Sequence, residues 1–221
     1  MVDVQSMKDE RRIPIQKVGV KGVRYPIILK DKRAHIQHTM PRFLNMLQKL
    51  CQELKAETAY SDLHFPYFIE KKAPVSGQVS TMSYDCSYEA KVSGKAHSFV
   101  VGVKVPVQTV CPCSKAISAY GAHNQRGLVT LKVALGPFFW IEDLVAMVEE
   151  SASSDLYTLL KREDEKYVTE RAYERPRFVE DLVREVYLRV EELGKFPSFS
   201  VEAENFESIH NHSAYAYVEK K

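Results

Sequence analysis

Apolar and polar residues alternate strictly along Met82, Tyr84, Cys86, Tyr88, Ala90 and Val92, and again along Phe99, Val101, Val103, Val105 and Val107. A period of two places each set on one face of a strand. Gly94 lies between the runs, so together they predict an antiparallel hairpin. Upstream, Ile13 to Leu29 is rich in Val, Ile and Tyr and reads as strand, bent at Gly19 and Gly22. Pro41 then opens a helical pattern in which Phe43, Leu47, Leu50, Cys51 and Leu54 share a face, and a long strand-like region follows.

The plan then repeats. Gly127 to Leu135 reads as strand, ended by Gly136-Pro137, and Ile141, Leu144, Val145, Val148 and Leu156 mark a helix. Pro176 opens another helix, with Val179, Leu182, Val183, Val186 and Val190 inward and Gly194 as its stop. Pro197 keeps that helix from resuming, and Phe199 to Tyr217 returns to a strand pattern. The charged run Lys161 to Lys166 reads as a solvated turn between the two helices. The expectation is an α+β protein of two similar modules, residues 1–112 and 113–221, each of antiparallel strands with a helix pair on one face.

Composition narrows the partners. With 31 basic and 29 acidic residues among 221, the formal charge of +2 offers no field for nucleic acid or a membrane surface. No apolar run is long enough to span a bilayer, and Met1 to Arg12 lacks the apolar centre of a secretory signal. A cytoplasmic protein is expected. In that setting clustered cysteines are more often metal-binding or catalytic than bridged.

Chemistry concentrates at Val110-Cys111-Pro112-Cys113-Ser114-Lys115 and the following His123. Thiolate and imidazole suit a borderline-soft divalent ion. A structural zinc site wants four protein ligands, yet only one cysteine pair is available, because Cys51 and Cys86 sit at apolar periodic positions. A site with an open position for water is therefore expected. Glu180, near the start of the helix after Pro176, either complements the helix dipole, worth roughly 0.3–1 kcal/mol, or accepts from a ligand's N–H groups. His210 and His212 would share a face of a strand beside Glu207 and Asn205, either as solvated polar side chains or as proton-transfer groups. Spacing alone does not distinguish Glu165 from its acidic neighbours. A redox dithiol of Cys111 and Cys113 is a weaker alternative.

Five ordered blocks carry a resemblance: Val105 to Lys115, Gly121 to Arg126, Arg162 to Glu170, Arg175 to Asp181, and Asn205 to His212. They resemble the prokaryotic GTP cyclohydrolases of type IB, in the tunnelling-fold superfamily. The resemblance is close over residues 98 to 218 and looser over 13 to 97. It implies two tandem tunnelling-fold modules, a homotetramer with sites between subunits, and GTP as substrate. It implies a divalent metal (zinc, manganese or ferrous iron) held by Cys111, His123 and Glu165. Glu180 would anchor guanine. Cys113 and His210 would take part in the chemistry, with Glu207 and His212 close by. Lys115 and Arg126, with Lys161, Arg162 and Arg175, are candidates for the triphosphate. The implied reaction is metal-assisted opening of the guanine imidazole ring, giving formate and 7,8-dihydroneopterin triphosphate. The alternatives are an archaeal-type product with a cyclic phosphate and a non-catalytic assembly around a structural metal. The first module is shorter than the resemblance leads one to expect: no Gly-x-His-Met-Ser-Arg-like stretch precedes Phe43.

Overall fold

The strict alternation at residues 82–107 builds the centre of a sheet. A computed structural model describes residues 19–23, 36–136 and 138–221. The chain divides into two compact units, Met1–Ala34 and His35–Lys221. In the first, residues 19–23 are irregular and exposed, with Gly22 at φ 76°. The rest of the strand expected over Ile13 to Leu29 lies outside the described residues.

The second unit contains α1 (Ile36–Glu53), β1 (Thr58–Lys72), β2 (Val79–Ser93), β3 (Ala96–Val110), α2 (Pro112–Ile117) and β4 (Asn124–Ala134). It continues with α3 (Ile141–Ser151), β5 (Ser154–Asp155), α4 (Arg162–Glu174), α5 (Val179–Glu192), β6 (Phe199–Asn205) and β7 (Ala214–Lys220). The strands form one seven-stranded antiparallel sheet in the order β1-β2-β3-β4-β6-β7, with β5 paired to the end of β3. The expected α+β class is what the chain adopts. Because β3 pairs with β4 from Val100↔Ala134 to Val110↔Asn124, one sheet runs through both halves of the sequence.

The β2–β3 hairpin forms as the pattern predicts, closing at Ser93↔Ala96 around Gly94 at φ 57°. The alternating residues of both strands are buried, and Val101, Val103, Val105 and Val107 are fully so. Their register partners continue the same face: Tyr88↔Val101, Val103↔Leu131 and Val129↔Ala203. Phe43 of α1 packs edge-on against Tyr88 and Phe99 on that face, and Tyr187 of α5 packs against Phe199. Polar pairs such as Lys132 with Glu89, 2.7 Å apart, stand on the other face. Truncating a fully buried side chain such as Leu131 to alanine would cost about 2–5 kcal/mol.

Several elements differ from the sequence expectation. Helix α1 starts at Ile36, so Pro41 lies inside it. Only one backbone hydrogen bond is lost so near the helix start, and the helix tolerates it. Leu44 takes a buried place, while Leu50 and Leu54 are exposed. Leu156 lies beyond α3, and its carbonyl accepts from Lys71 Nζ at 2.8 Å. Helix α5 begins at Val179, three residues after Pro176. The charged run after Lys161 is helix α4 and not a turn. Its first turn is fixed by the Asp164 carboxylate, which accepts from Lys161 N at 2.9 Å. The same carboxylate accepts from Val75 N (2.9 Å), Ser76 N (2.9 Å) and Ser76 Oγ (2.6 Å), which ties α4 to the β1–β2 turn. Finally, the strand expected over 199–217 is two strands: the β6–β7 ladder closes at Asn205↔Ala214 and leaves 206–213 as a loop.

Candidate functional site

Strand β3 delivers Cys111 to the first position before α2. There Pro112 occupies a place where a missing N–H costs nothing, and Cys111 Sγ accepts from Ser114 N at 3.5 Å. The loop returns at His123. Cys111 N donates to the His123 carbonyl (3.1 Å), His123 N to Ser114 Oγ (3.1 Å), and the Ser114 hydroxyl to the Cys111 carbonyl (3.2 Å). Cys111 and His123 are thus held side by side by short-range hydrogen bonding, and all four cysteines are free thiols.

The His123 ring is nearly buried. Its Nδ1 lies 2.9 Å from Gln125 Oε1 and 3.8 Å from Glu207 Oε2. Gln125 in turn donates through Nε2 to Thr109 Oγ1 at 2.9 Å, across the Thr109↔Gln125 pair of β3 and β4.

Beside this pair lies a cavity of about 160 Å³, whose wall includes Cys111, Gln125, Arg177, Glu180, Asn205 and Glu207. Arg177 N donates to the Val110 carbonyl at 3.0 Å, stitching the entry of α5 to the end of β3. That contact brings Glu180, in the first turn of α5, to the cavity. Asn205 ends β6 opposite Gly127, where any Cβ would come within 2.6 Å of Asn205 Oδ1. Glycine therefore leaves the room that the Asn205 side chain fills. Among the described residues, Asn205 Oδ1 and Arg177 Nε are buried without a hydrogen-bond partner.

Cys111, Glu180 and Glu207 thus meet at one cavity with His123 behind its wall, although they come from separate stretches of sequence. Other expected site residues stand apart from that wall. Cys113 is exposed on α2, and Glu165 is exposed in the first turn of α4. His210 and His212 are exposed in the loop 206–213 and not on a strand, because Asn205 is the last residue of β6 to pair. Their rings stack, with centroids 5.1 Å apart. Lys115 donates to the Tyr173 carbonyl and lies 4.3 Å over the Tyr173 ring. Arg126 is exposed on β4, its carbonyl accepting from Phe206 N at 2.9 Å. Arg175 donates to the Glu150 carbonyl at 2.7 Å. Burial, then crowding by Arg171, Arg177 and Arg189, lowers the pKa of its guanidinium.

The donor types suit a divalent ion, and the backbone and Ser114 hydrogen bonds bring Cys111 and His123, two of the three expected donors, onto neighbouring segments. Among the described residues no three His, Cys, Asp or Glu side chains converge closely enough to hold one.

Thr109, Gln125 and Arg177 belong to the site although no feature of the sequence marks them individually, whereas Asn205 stands in the cluster that runs to His212. Gln125 carried a usable signal, since it follows His123 by two positions at the start of a strand. Arg177 lies in the block Arg175 to Asp181.

A family model described as type I GTP cyclohydrolase folE2 matches residues 1–44 and 39–216. The chain belongs to this family. A GTP cyclohydrolase FolE2 of Syntrophus aciditrophicus is 49% identical over 255 aligned positions, covering all of both chains. One from Geotalea uraniireducens is 49% identical over 254 positions, covering 100% of this chain and 93% of that protein. An alignment of 255 positions exceeds the 221 residues of this chain, so the Syntrophus relative carries residues that this chain lacks. The family match comes in two ranges that share residues 39–44. A solved structure of uricase from Arthrobacter globiformis overlaps with a TM-score of 0.42 at 9% identity, over 80% of this chain and 67% of that one. An overlap of that extent is no basis for a functional reading.

Proposed function

We propose that this chain, a member of the GTP cyclohydrolase family, converts GTP and water to formate and 7,8-dihydroneopterin triphosphate at the cavity beside Cys111. The observation that supports this most is the convergence of Cys111, Glu180 and Glu207 on that cavity. The Glu180 carboxylate is suited to accept paired hydrogen bonds from adjacent N–H donors on the guanine edge, which fixes the base in one orientation. Opening the imidazole ring leaves nitrogens that must take up protons. Glu207, in the wall, with Cys113 exposed on α2 and His210 and His212 on the exposed loop 206–213, can hold and deliver them. Arg126 and the wall residue Arg177 are the cations assigned to the triphosphate, whereas Lys115 is engaged by Tyr173 and Arg175 by the Glu150 carbonyl.

Cys111, His123 and Glu165 would hold a divalent ion, zinc, ferrous iron or manganese, whose chemistry when bound is to lower the pKa of water near neutral pH. Four expected groups, Cys113, Glu165, His210 and His212, lie on exposed segments away from the cavity wall. The same reading therefore has four copies assembling in the cytoplasm, with neighbouring subunits completing each site. It also keeps tandem tunnelling-fold modules at 1–112 and 113–221.

The test is turnover of GTP by purified protein, chelated and then resupplied with Zn²⁺, Mn²⁺ or Fe²⁺, following formate and pterin fluorescence. Metal-dependent formate release that disappears in Cys111→Ala and Glu180→Ala is expected. A linear triphosphate on the pterin separates this activity from one that yields a cyclic phosphate. A folded protein that binds the ion yet releases no formate with any metal would sink the proposal.

A further inference from the structure

The geometry points to Gln125, anchored by Thr109, as a positioning residue that fixes His123 as the Nδ1–H tautomer and so presents its Nε2 lone pair for coordination. Two groups face Nδ1: Gln125 Oε1 at 2.9 Å and Glu207 Oε2 at 3.8 Å. The Gln125 carbonyl oxygen, the nearer of the two, only accepts, so it favours a proton on Nδ1 over a lone pair there. With that proton in place, Gln125 presents its carbonyl to the ring and its amide N–H to Thr109 Oγ1, 2.9 Å away. The reverse arrangement would aim a lone pair of the ring at Glu207.

Gln125 and Thr109 can hold this arrangement because neither can rearrange cheaply. Both are buried, Gln125 6% and Thr109 0% exposed, and they are direct cross-strand partners at the end of the β3–β4 ladder. Their backbones are fixed by the sheet, and removing either polar partner leaves the other buried and unpaired. A neutral imidazole carries one proton, so placing it on Nδ1 leaves Nε2 free to bind a cation. The same logic governs ligating histidines generally, where the group behind the ring sets which nitrogen coordinates. The consequence for metal affinity rests on the reading of His123 as a ligand; the consequence for the tautomer does not.

The experiment uses the full chain labelled with ¹⁵N-histidine, with His123 assigned through a His123→Gln variant. Long-range ¹⁵N–¹H spectra of metal-free protein report the tautomer, and competition with a chromophoric chelator reports the Zn²⁺ Kd. In the unsubstituted protein His123 is expected as Nδ1–H. Gln125→Leu should convert it to a mixture or to Nε2–H and weaken Zn²⁺ binding by about 10- to 100-fold. Gln125→Glu, which keeps an acceptor at Nδ1, should retain the tautomer. Thr109→Val, which keeps the shape, should give a smaller shift in the same direction and serves if Gln125→Leu does not fold. A folded Gln125→Leu or Thr109→Val protein in which His123 stays entirely Nδ1–H would overturn the positioning role. Loss of the tautomer preference in a protein that never bound Zn²⁺ would support the positioning while rejecting the metal reading.

Discussion

Cys86 and Cys113 carry the same thiol into opposite surroundings. Cys86 is buried in the alternating face of β2, where burial, then the charges of Asp85 and Glu142, push its thiol up to about 12. Cys113 is exposed on α2. Since the thiolate is the reactive species, native metal-free protein treated with iodoacetamide near pH 8 should be alkylated at Cys113 long before Cys86. Peptide mapping reads the order, and comparable rates at the two positions would contradict the packing of β2. Lys71 offers a second test. Its ammonium lies 2.9 Å from Glu149 and 3.0 Å from Asp155, with only 11% of the Lys71 side chain exposed. Burial raises the Glu149 pKa against the pull of Lys71 and Tyr84, while Asp155 stays lowered: burial opposes that, and Lys71 outweighs it. Lys71→Met removes the shared cation and should destabilise the fold by about 3–5 kcal/mol. A carboxylate whose folded pKa is raised loses stability as pH rises through that pKa, so the deficit should be larger at pH 8 than at pH 5. Urea melts at the two pH values measure it. At this scale the sequence was informative where chemistry is rare. Cys111, His123 and Glu207 stand out by type and meet in space, but Thr109, Gln125 and Asn205 are ordinary strand residues whose importance comes from what lies opposite them.

Strands β2 and β3 could be read directly because each buries one face and alternates over most of its length. Helix α4 could not. It buries only Asp164 and Ala172, so no apolar stripe marks it, and its charged first turn looks like a solvated loop. What holds it is polar. Burial opposes ionisation of Asp164, but the Ser76 hydroxyl and the N–H groups of Ser76, Lys161 and Val75 outweigh it and keep the carboxyl well below the usual carboxylate range. Asp164 thus fastens the helix that carries Glu165 to the β1–β2 turn. A group whose folded pKa is depressed contributes stability above its unfolded pKa of about 4, and that contribution is lost as pH falls below it. Asp164→Asn should therefore lower the melting temperature at pH 7 and narrow the difference from the parent protein as pH approaches 3. Thermal melts across that range decide it, and a difference independent of pH would remove the carboxylate from the account. The split of 199–217 into β6 and β7 was equally hidden, since nothing in the alternation of His210 and His212 reveals that the ladder stops at Asn205.

Among the described residues the sheet ends at β1 and β7, and the last strand, β7, presents the exposed aromatic side chains Tyr215 and Tyr217. Only part of the expected chemistry meets at the cavity. Glu180, Glu207 and Cys111 face it, while Cys113, Glu165, His210 and His212 lie exposed on α2, α4 and the loop 206–213. A single chain that held every group would have no reason to leave these in solvent, whereas an assembly can bring one subunit's exposed loop to its neighbour's cavity. Such sharing has a direct consequence. Cys111→Ala and His210→Ala proteins should each be inactive as homo-oligomers. Unfolded together and refolded as a mixture, they should regain a measurable fraction of GTP turnover, because some sites then draw an intact Cys111 from one chain and an intact His210 from another. Light scattering on the mixture should show a four-subunit mass. Full assembly with no recovered activity would mean that each site takes Cys111 and His210 from the same chain, and the loop 206–213 would then have to move to reach its own cavity.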